Sequence, residues 1–153
     1  TFLNLGDRPV TSRKDAETVE EKKYRIGQVP FSEKYKLSWE RNEEKENELF
    51  KLVVDVHEGV RGGYIFAHLD QSDGTVGELP QQENQDIVRC EPLEGYNILD
   101  WYKVIINASK IYCIESSLQC FVDGLGILIP KEKKFLLTTK KYCTTTSDSW
   151  NRI

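Results

Sequence analysis

Three consecutive polar residues, Glu115-Ser116-Ser117, follow directly after the apolar run Ile111-Tyr112-Cys113-Ile114. The run is predicted to be a buried β-strand, because continuous apolar residues are typical of strands that are covered on both faces. Ser116 and Gln119 match a capping box, so a helix is expected to begin here. The N–H groups of a helix start attract anions, and two hydroxyl groups add donors. We therefore predict that Ser116 and Ser117 hold an anionic group such as a phosphate. A simple helix cap is the alternative, and the two roles are compatible.

A second candidate segment follows the short run Tyr64-Ile65-Phe66-Ala67, which glycines precede and which is predicted to be a strand. His68 and Asp70 come after this strand. Ligands of open α/β sheets bind at the carboxyl ends of the strands, so both residues are expected beside the serines. His68 is the candidate general base, with a partly buried histidine bonded to backbone as the alternative. Glu115 is a candidate acceptor for a sugar hydroxyl, or else a solvated carboxylate.

Several common catalytic and metal-binding patterns are absent from the sequence. It contains no Gly-x-Gly-x-x-Gly, no Walker loop, no Gly-x-Ser-x-Gly and no Cys-x-x-Cys. The only histidines, His57 and His68, lie far from the cysteines along the chain, and the spacing of Asp70 and Asp73 fits no metal-binding loop. We therefore predict neither a metal ion nor a cofactor.

The composition is that of a folded domain, with 39% hydrophobic residues, 30% charged residues and a net charge of -4. The densest basic cluster, Lys131 to Lys134, flanks an apolar run and is predicted to be a solvated edge rather than a nucleic-acid-binding surface. No apolar stretch reaches the roughly 18–20 residues that cross a bilayer, and no signal peptide is evident. The four cysteines are expected to be free and buried. The sequence therefore predicts a cytoplasmic protein without a membrane span or a nucleic-acid partner.

The predicted elements alternate between strands and helices. Residues 1–30 are predicted to form an N-terminal arm with a weak helical stretch. An amphipathic helix is expected from Asn42 to Val56, and a largely apolar helix is expected to begin at Asn97. Further strands are predicted at 86–90 and 135–139. Parallel strands need crossover connections, so this alternation predicts an α/β domain over residues 31–153: a Rossmann-like, three-layer half-domain with a short parallel sheet.

Three stretches of the chain together resemble a known family. They are Gly63-Tyr64-Ile65-Phe66-Ala67-His68-Leu69-Asp70, Asn97-Ile98-Leu99-Asp100-Trp101 and Ala108-Ser109-Lys110-Ile111-Tyr112-Cys113-Ile114-Glu115-Ser116-Ser117. They resemble the C-terminal, donor-binding half of GT-B-type glycosyltransferases. The chain is similar to bacterial and viral glycosyltransferase-like proteins and more distantly similar to fucosyltransferases. The resemblance spans Phe31 to Thr139.

The resemblance implies a ligand and a set of binding residues. Ser116 and Ser117 are implied to contact the donor diphosphate, and His68 and Asp70 are implied to lie beside the donor. The expected partner is therefore a nucleotide diphosphate sugar, bound without a metal ion. GT-B enzymes also have an N-terminal acceptor domain, which the residues before Phe31 are too few to form. We therefore expect a fragment that binds the donor, and sugar transfer only when such a domain is joined to it.

A function of another class stays open. The helix predicted at 42–56 has a clear apolar face, and together with the N-terminal arm it offers a surface for a partner or a second copy of the chain. In this alternative the chain is a non-catalytic interaction or oligomerisation domain, and a homodimer is an expected form.

Overall fold

The core of the fold is a parallel β-sheet. The structure, a computed structural model, describes residues 17, 19–36, 38–55, 63–71, 74–81, 85–137 and 149–153. The strands within these residues are β1 (Tyr64–His68), β2 (Asp86–Arg89), β3 (Lys110–Ile114), β4 (Lys134–Leu137) and β5 (Asn151–Arg152). They form one sheet in the order β2-β1-β3-β4-β5, and each neighbouring pair is parallel. The predicted α/β, Rossmann-like class is confirmed.

Helices occupy the connections between the strands and the chain before β1. The α-helices of the described residues are α1 (Val19–Ile26), α2 (Glu43–Phe50), α3 (Tyr102–Asn107) and α4 (Ser117–Gly124). A π-helical segment, Lys51–Asp55, continues α2, and a 3-10 turn, Ile98–Trp101, precedes α3. Shorter 3-10 turns lie at Phe31–Tyr35, Gly126–Leu128 and Lys131–Lys133. Among the described residues, no helix combines the length and the apolar character that a membrane span requires.

Side-chain caps begin the helices where the sequence predicts them. The Asn42 side chain accepts a hydrogen bond from the backbone N–H of Lys45 at the start of α2. Asn97 and Asp100 form a reciprocal capping box before α3. Each such cap satisfies a backbone donor that has no partner inside its helix. The predicted helix starts at Asn42 and Asn97 are therefore confirmed, although the second helix opens with a 3-10 turn.

Successive strand residues point to opposite faces of the sheet, and each face has its own apolar cluster. The first face packs against α2, α3 and α4, and its strand residues are Tyr64, Phe66, Val88, Ile111, Cys113 and Leu136. The second face has a smaller cluster, which consists of Ile65, Ala67, Leu69, Tyr112, Ile114 and Leu137. Both faces of the central strands are therefore buried, as their continuous apolar runs predict.

The segment 69–77, of which 69–71 and 74–77 are described, folds back over the second face. We call it the 69–77 hairpin. The N–H of Gly77 donates to the carbonyl of Leu69 at 2.8 Å, and Asp70 and Val76 form an antiparallel β-bridge. Leu79, which follows the hairpin, packs against the second cluster. The described residues thus form three layers, with a hairpin rather than a helix covering the second face.

A buried lysine ties the chain before α2 to α4. Lys34, in the turn Phe31–Tyr35, places its Nζ atom 2.6 Å from a carboxylate oxygen of Asp123 and 2.6 Å from one of Glu20. Asp123 belongs to α4 and Glu20 to α1. The expected arm therefore contains a helix that is tied to the sheet domain, and the boundary at residue 30 stays a prediction.

The basic segment 131–134 differs from its prediction as a solvated edge. Lys131 is exposed, but Lys134 begins β4 and is only 2% exposed. Strand alternation puts Lys134 on the same face as the buried Leu136, and its Nζ lies 5.6 Å from the centre of the Trp150 ring. The prediction is wrong for Lys134, because the strand begins within the lysine run.

The cysteines are only partly as expected. Cys90, Cys113 and Cys120 are free thiols, and Cys113 is buried at the centre of the sheet. Cys120 is exposed on α4, so the prediction of burial is wrong for this residue. Cys143 lies outside the described residues.

Candidate functional site

The carboxyl ends of β1 and β3 lie side by side in the middle of the sheet, where His68 pairs in register with Cys113. From β1 the chain leads to β2 on one side, and β3 then lies on the other side of β1. In open α/β sheets such a reversal of strand order leaves a crevice at the carboxyl ends, where ligands bind. The residues that the sequence predicts for the site follow the two strands on either side of this reversal.

The structure brings His68 and Ser116 into contact. His68 ends β1, and Ser116 caps α4 after β3. The Nδ1 atom of His68 lies 3.1 Å from the Oγ atom of Ser116. The same Oγ accepts a hydrogen bond from the backbone N–H of Gln119 at 3.2 Å. One serine hydroxyl therefore joins the end of β1 to the start of α4.

The imidazole of His68 favours its neutral form. Burial lowers the pKa of His68, and the negative charge of Asp70 opposes this change without cancelling it. A neutral imidazole can accept a hydrogen bond at one ring nitrogen and donate one at the other. His68 can therefore act as a base or as a hydrogen-bond donor at this edge of the sheet.

The remaining predicted residues surround this contact at different depths. Glu115 is half-buried between β3 and Ser116, and Ser117 is the exposed first residue of α4. Asp70 is exposed in the 69–77 hairpin. Asp70 acts on His68 through its charge, whereas Ser116 acts through a hydrogen bond.

The start of α4 has the features of an anion site. In helix geometry the N–H groups of Ser117 and Leu118 have no partner within the helix, and the helix dipole adds a partial positive charge. The inner face of α4 is held in the core by Leu118, Phe121 and Val122, which are all buried. The direction of these N–H groups is therefore fixed by packing.

Sequence reasoning missed two features near these elements. Gly77 packs tightly on β3 and β4, and the only signal was its place in a polar loop. A surface pocket of about 340 Å³ lies beside the end of α4, lined by Tyr35, Ser38, Trp39, Arg41, Tyr102, Gly124, Leu125 and Leu128.

Within the part of the chain that the structure describes, no group of three or more His, Cys, Asp or Glu side chains is arranged to hold a metal ion.

Fold and site together define a Rossmann-like α/β protein with polar residues gathered where the strand order reverses. Comparison of the chain with protein-family models, with curated proteins and with solved structures found no match.

Proposed function

We propose that the chain is a nucleotide-sugar-binding domain of a glycosyltransferase-like protein and that the donor diphosphate binds at Ser116 and Ser117. The contact between His68 and Ser116 at the start of α4 is the main support, because it gathers a hydroxyl, an imidazole and helix N–H groups at the reversal of strand order. The resemblance of the strand-end segments to donor-binding domains supports the same ligand.

Each residue has a role in this proposal. The hydroxyls of Ser116 and Ser117 and the first N–H groups of α4 donate to phosphate oxygens. Glu115 and Asp70 accept hydrogen bonds from ribose or sugar hydroxyls. His68 donates a further hydrogen bond to the diphosphate or acts as a base. The partial positive charge of the helix start offsets part of the charge of the diphosphate, and the proposal includes no metal ion. Sugar transfer requires an acceptor-binding domain in addition.

Binding of nucleoside diphosphates tests this function. At about 100 times the dissociation constant, UDP, GDP or ADP should stabilise the fold by about 2.7 kcal/mol, which corresponds to about 5–10 °C in melting temperature. Replacing Ser116 and Ser117 together by alanine should remove this increase, because both hydroxyls are lost. Asn42→Ala is the matched control: it removes the cap of α2, away from the site, and should leave the nucleotide effect intact. If no diphosphate or nucleotide sugar stabilises the wild-type chain, the proposal is wrong.

Exposed apolar side chains favour the alternative of an interaction domain. Leu52 is 51% exposed in the segment that continues α2, and Ile26 is 49% exposed at the end of α1. Sedimentation of the same samples separates the two functions. A tight dimer without nucleotide affinity supports oligomerisation, whereas a monomer that a diphosphate stabilises supports donor binding.

A further inference from the structure

Gly77 occupies a position where the sheet leaves no room for a side chain. A Cβ atom at this position would lie 2.9 Å from Cγ2 of Ile114 and 3.1 Å from Cδ1 of Leu137. Both neighbours are buried, so neither can move away into solvent. Gly77 is also not among the glycines with positive φ. Space, rather than backbone conformation, therefore requires glycine here.

Backbone pairing within the 69–77 hairpin links the position of Gly77 to that of Asp70. The N–H of Gly77 donates to the carbonyl of Leu69 at 2.8 Å, and Val76 pairs with Asp70. Leu69 and Asp70 directly follow His68 at the end of β1. Any outward displacement of Gly77 therefore moves the residue whose charge acts on the imidazole.

We infer that Gly77 is a positioning residue: its close packing on β3 and β4 fixes the carboxylate of Asp70 beside His68. Among the described residues, the charged residues at this end of the sheet include Arg89 and Glu91 around the end of β2, Glu115 after β3 and Arg152 at the end of β5. These four belong to other segments, whereas Asp70 lies in the same hairpin as Gly77. A consequence for donor binding rests on the function proposed above, whereas the effect on His68 does not.

An NMR titration of the His68 imidazole tests the inference directly. Asp70→Asn should lower the pKa of His68, since it removes the charge that raises the pKa. Gly77→Ala should also lower the pKa of His68, but by a smaller amount. In the Asp70→Asn background Gly77→Ala should have no further effect, because its action passes through Asp70. A purely structural glycine would leave the titration unchanged.

Gly74→Ala is the matched control in the same hairpin. A Cβ atom at Gly74 meets nothing within 4 Å, while its φ of +84° makes the substitution strained. This variant should lose stability without changing the pKa of His68. If Gly77→Ala does not fold, Leu79→Ala loosens the same packing and should lower the pKa as well. An unchanged pKa in the folded variant overturns the inference.

Addition of UDP separates this inference from the proposed function. If UDP binds the wild type, and Gly77→Ala both lowers the pKa of His68 and weakens UDP binding several-fold, the positioning role and the proposed function both hold. If UDP binds but neither the pKa nor the affinity responds to Gly77→Ala, only the positioning role fails. If the pKa responds but no nucleotide binds the wild type, the positioning role holds and donor binding fails.

Discussion

The hydroxyl of Ser116 has two hydrogen-bond partners, the N–H of Gln119 and the imidazole of His68. Its oxygen accepts the N–H of Gln119 and has a second lone pair, so its contact with Nδ1 can run in either direction, depending on the tautomer of His68. In one tautomer Nδ1 accepts the Ser116 proton. In the other tautomer, and when His68 is protonated, Nδ1–H donates to the second lone pair, and the Ser116 proton is left for another acceptor such as a phosphate oxygen. The contact therefore survives either protonation state.

An aspartate at position 116 would keep the helix cap but repel anions, so this substitution can separate the effect of Ser116 on folding from its effect on binding. Ser116→Asp should change the free energy of unfolding by less than about 1 kcal/mol, since aspartate caps helices as well as serine does. It should abolish stabilisation by UDP, because its charge repels the diphosphate. It should also raise the pKa of His68, because the carboxylate faces Nδ1. Calorimetry with and without UDP and an NMR titration measure the three effects.

Asn42→Asp is the control for this substitution. It introduces the same side chain at the same cap position of α2, so it should leave both UDP binding and His68 unchanged. Undiminished UDP binding by Ser116→Asp would contradict a diphosphate at the start of α4.

The lowered pKa of His68 predicts how stability depends on pH. The unfolded chain has a histidine near the ordinary value of 6.5, whereas burial lowers the pKa in the fold. Between the two values the unfolded chain binds more protons, so stability falls as pH falls below the ordinary value. His68→Gln should remove this part of the dependence. The free energy of unfolding can be measured with urea at several pH values between about 5 and 8. It should depend less steeply on pH in the variant than in the wild type. The same pH dependence in the wild type and in His68→Gln would contradict a lowered pKa of His68.

At the scale of elements, the sequence predicted the parts that local chemistry determines. β1 and β3 were predictable because continuous apolar runs are buried on both faces of a parallel sheet. The cap at Ser116 was predictable because it combines a hydroxyl with a helix start directly after a strand. These signals lie within a few residues of the element that they specify.

Elements that depend on distant partners were not predictable in the same way. β5 consists of Asn151 and Arg152, which have no apolar pattern, and it exists as a strand through its pairing with β4. Lys34 can be buried because it forms ion pairs with Asp123 and Glu20, and neither residue is near it in sequence. The sequence indicated solvated lysines in the 131–134 segment, because lysine is seldom buried without a partner.

The candidate site combines both situations. The sequence predicted that His68 and Ser116 follow strands, and parallel strands end at one edge of a sheet. Their hydrogen bond requires β1 and β3 to be neighbours, which is a property of the sheet order. The role of Gly77 depends on the side chains of Ile114 and Leu137, which no pattern around Gly77 indicates.

At the scale of the whole molecule, Asp123 holds both ends of the described chain against α4. One carboxylate oxygen accepts hydrogen bonds from Ser149 Oγ at 2.6 Å and from Trp150 Nε1 at 3.2 Å. The other oxygen pairs with Lys34 at 2.6 Å. Burial opposes the charge of Lys34, but its hydrogen bonds to Asp123 and Glu20 outweigh this effect and raise its pKa. The helix that begins at the candidate site thus carries the buried charges that anchor the arm and β5.

Removal of Lys34 should therefore destabilise the entire fold. Lys34→Met leaves the buried carboxylate of Asp123 without its cation, and loss of one partner of a buried pair costs about 3–5 kcal/mol. In the double variant Lys34→Met, Asp123→Asn the loss should be smaller than the sum of the single losses, because the fully buried charge of Asp123 is no longer left without its cation. Urea unfolding followed by tryptophan fluorescence measures these free energies, and Trp150, one of three tryptophans, directly precedes the C-terminal strand.

The matched control for this prediction is Lys36→Met. Lys36 pairs with Glu33 in the same turn, but its side chain is 65% exposed, and exposed pairs contribute about 0–1 kcal/mol. Both lysines lie in one short segment and form ion pairs at nearly the same distance. A difference between the two variants in the free energy of unfolding therefore reports on the burial of the ion pair. If Lys34→Met cost no more than Lys36→Met, the arm would not be anchored by Asp123.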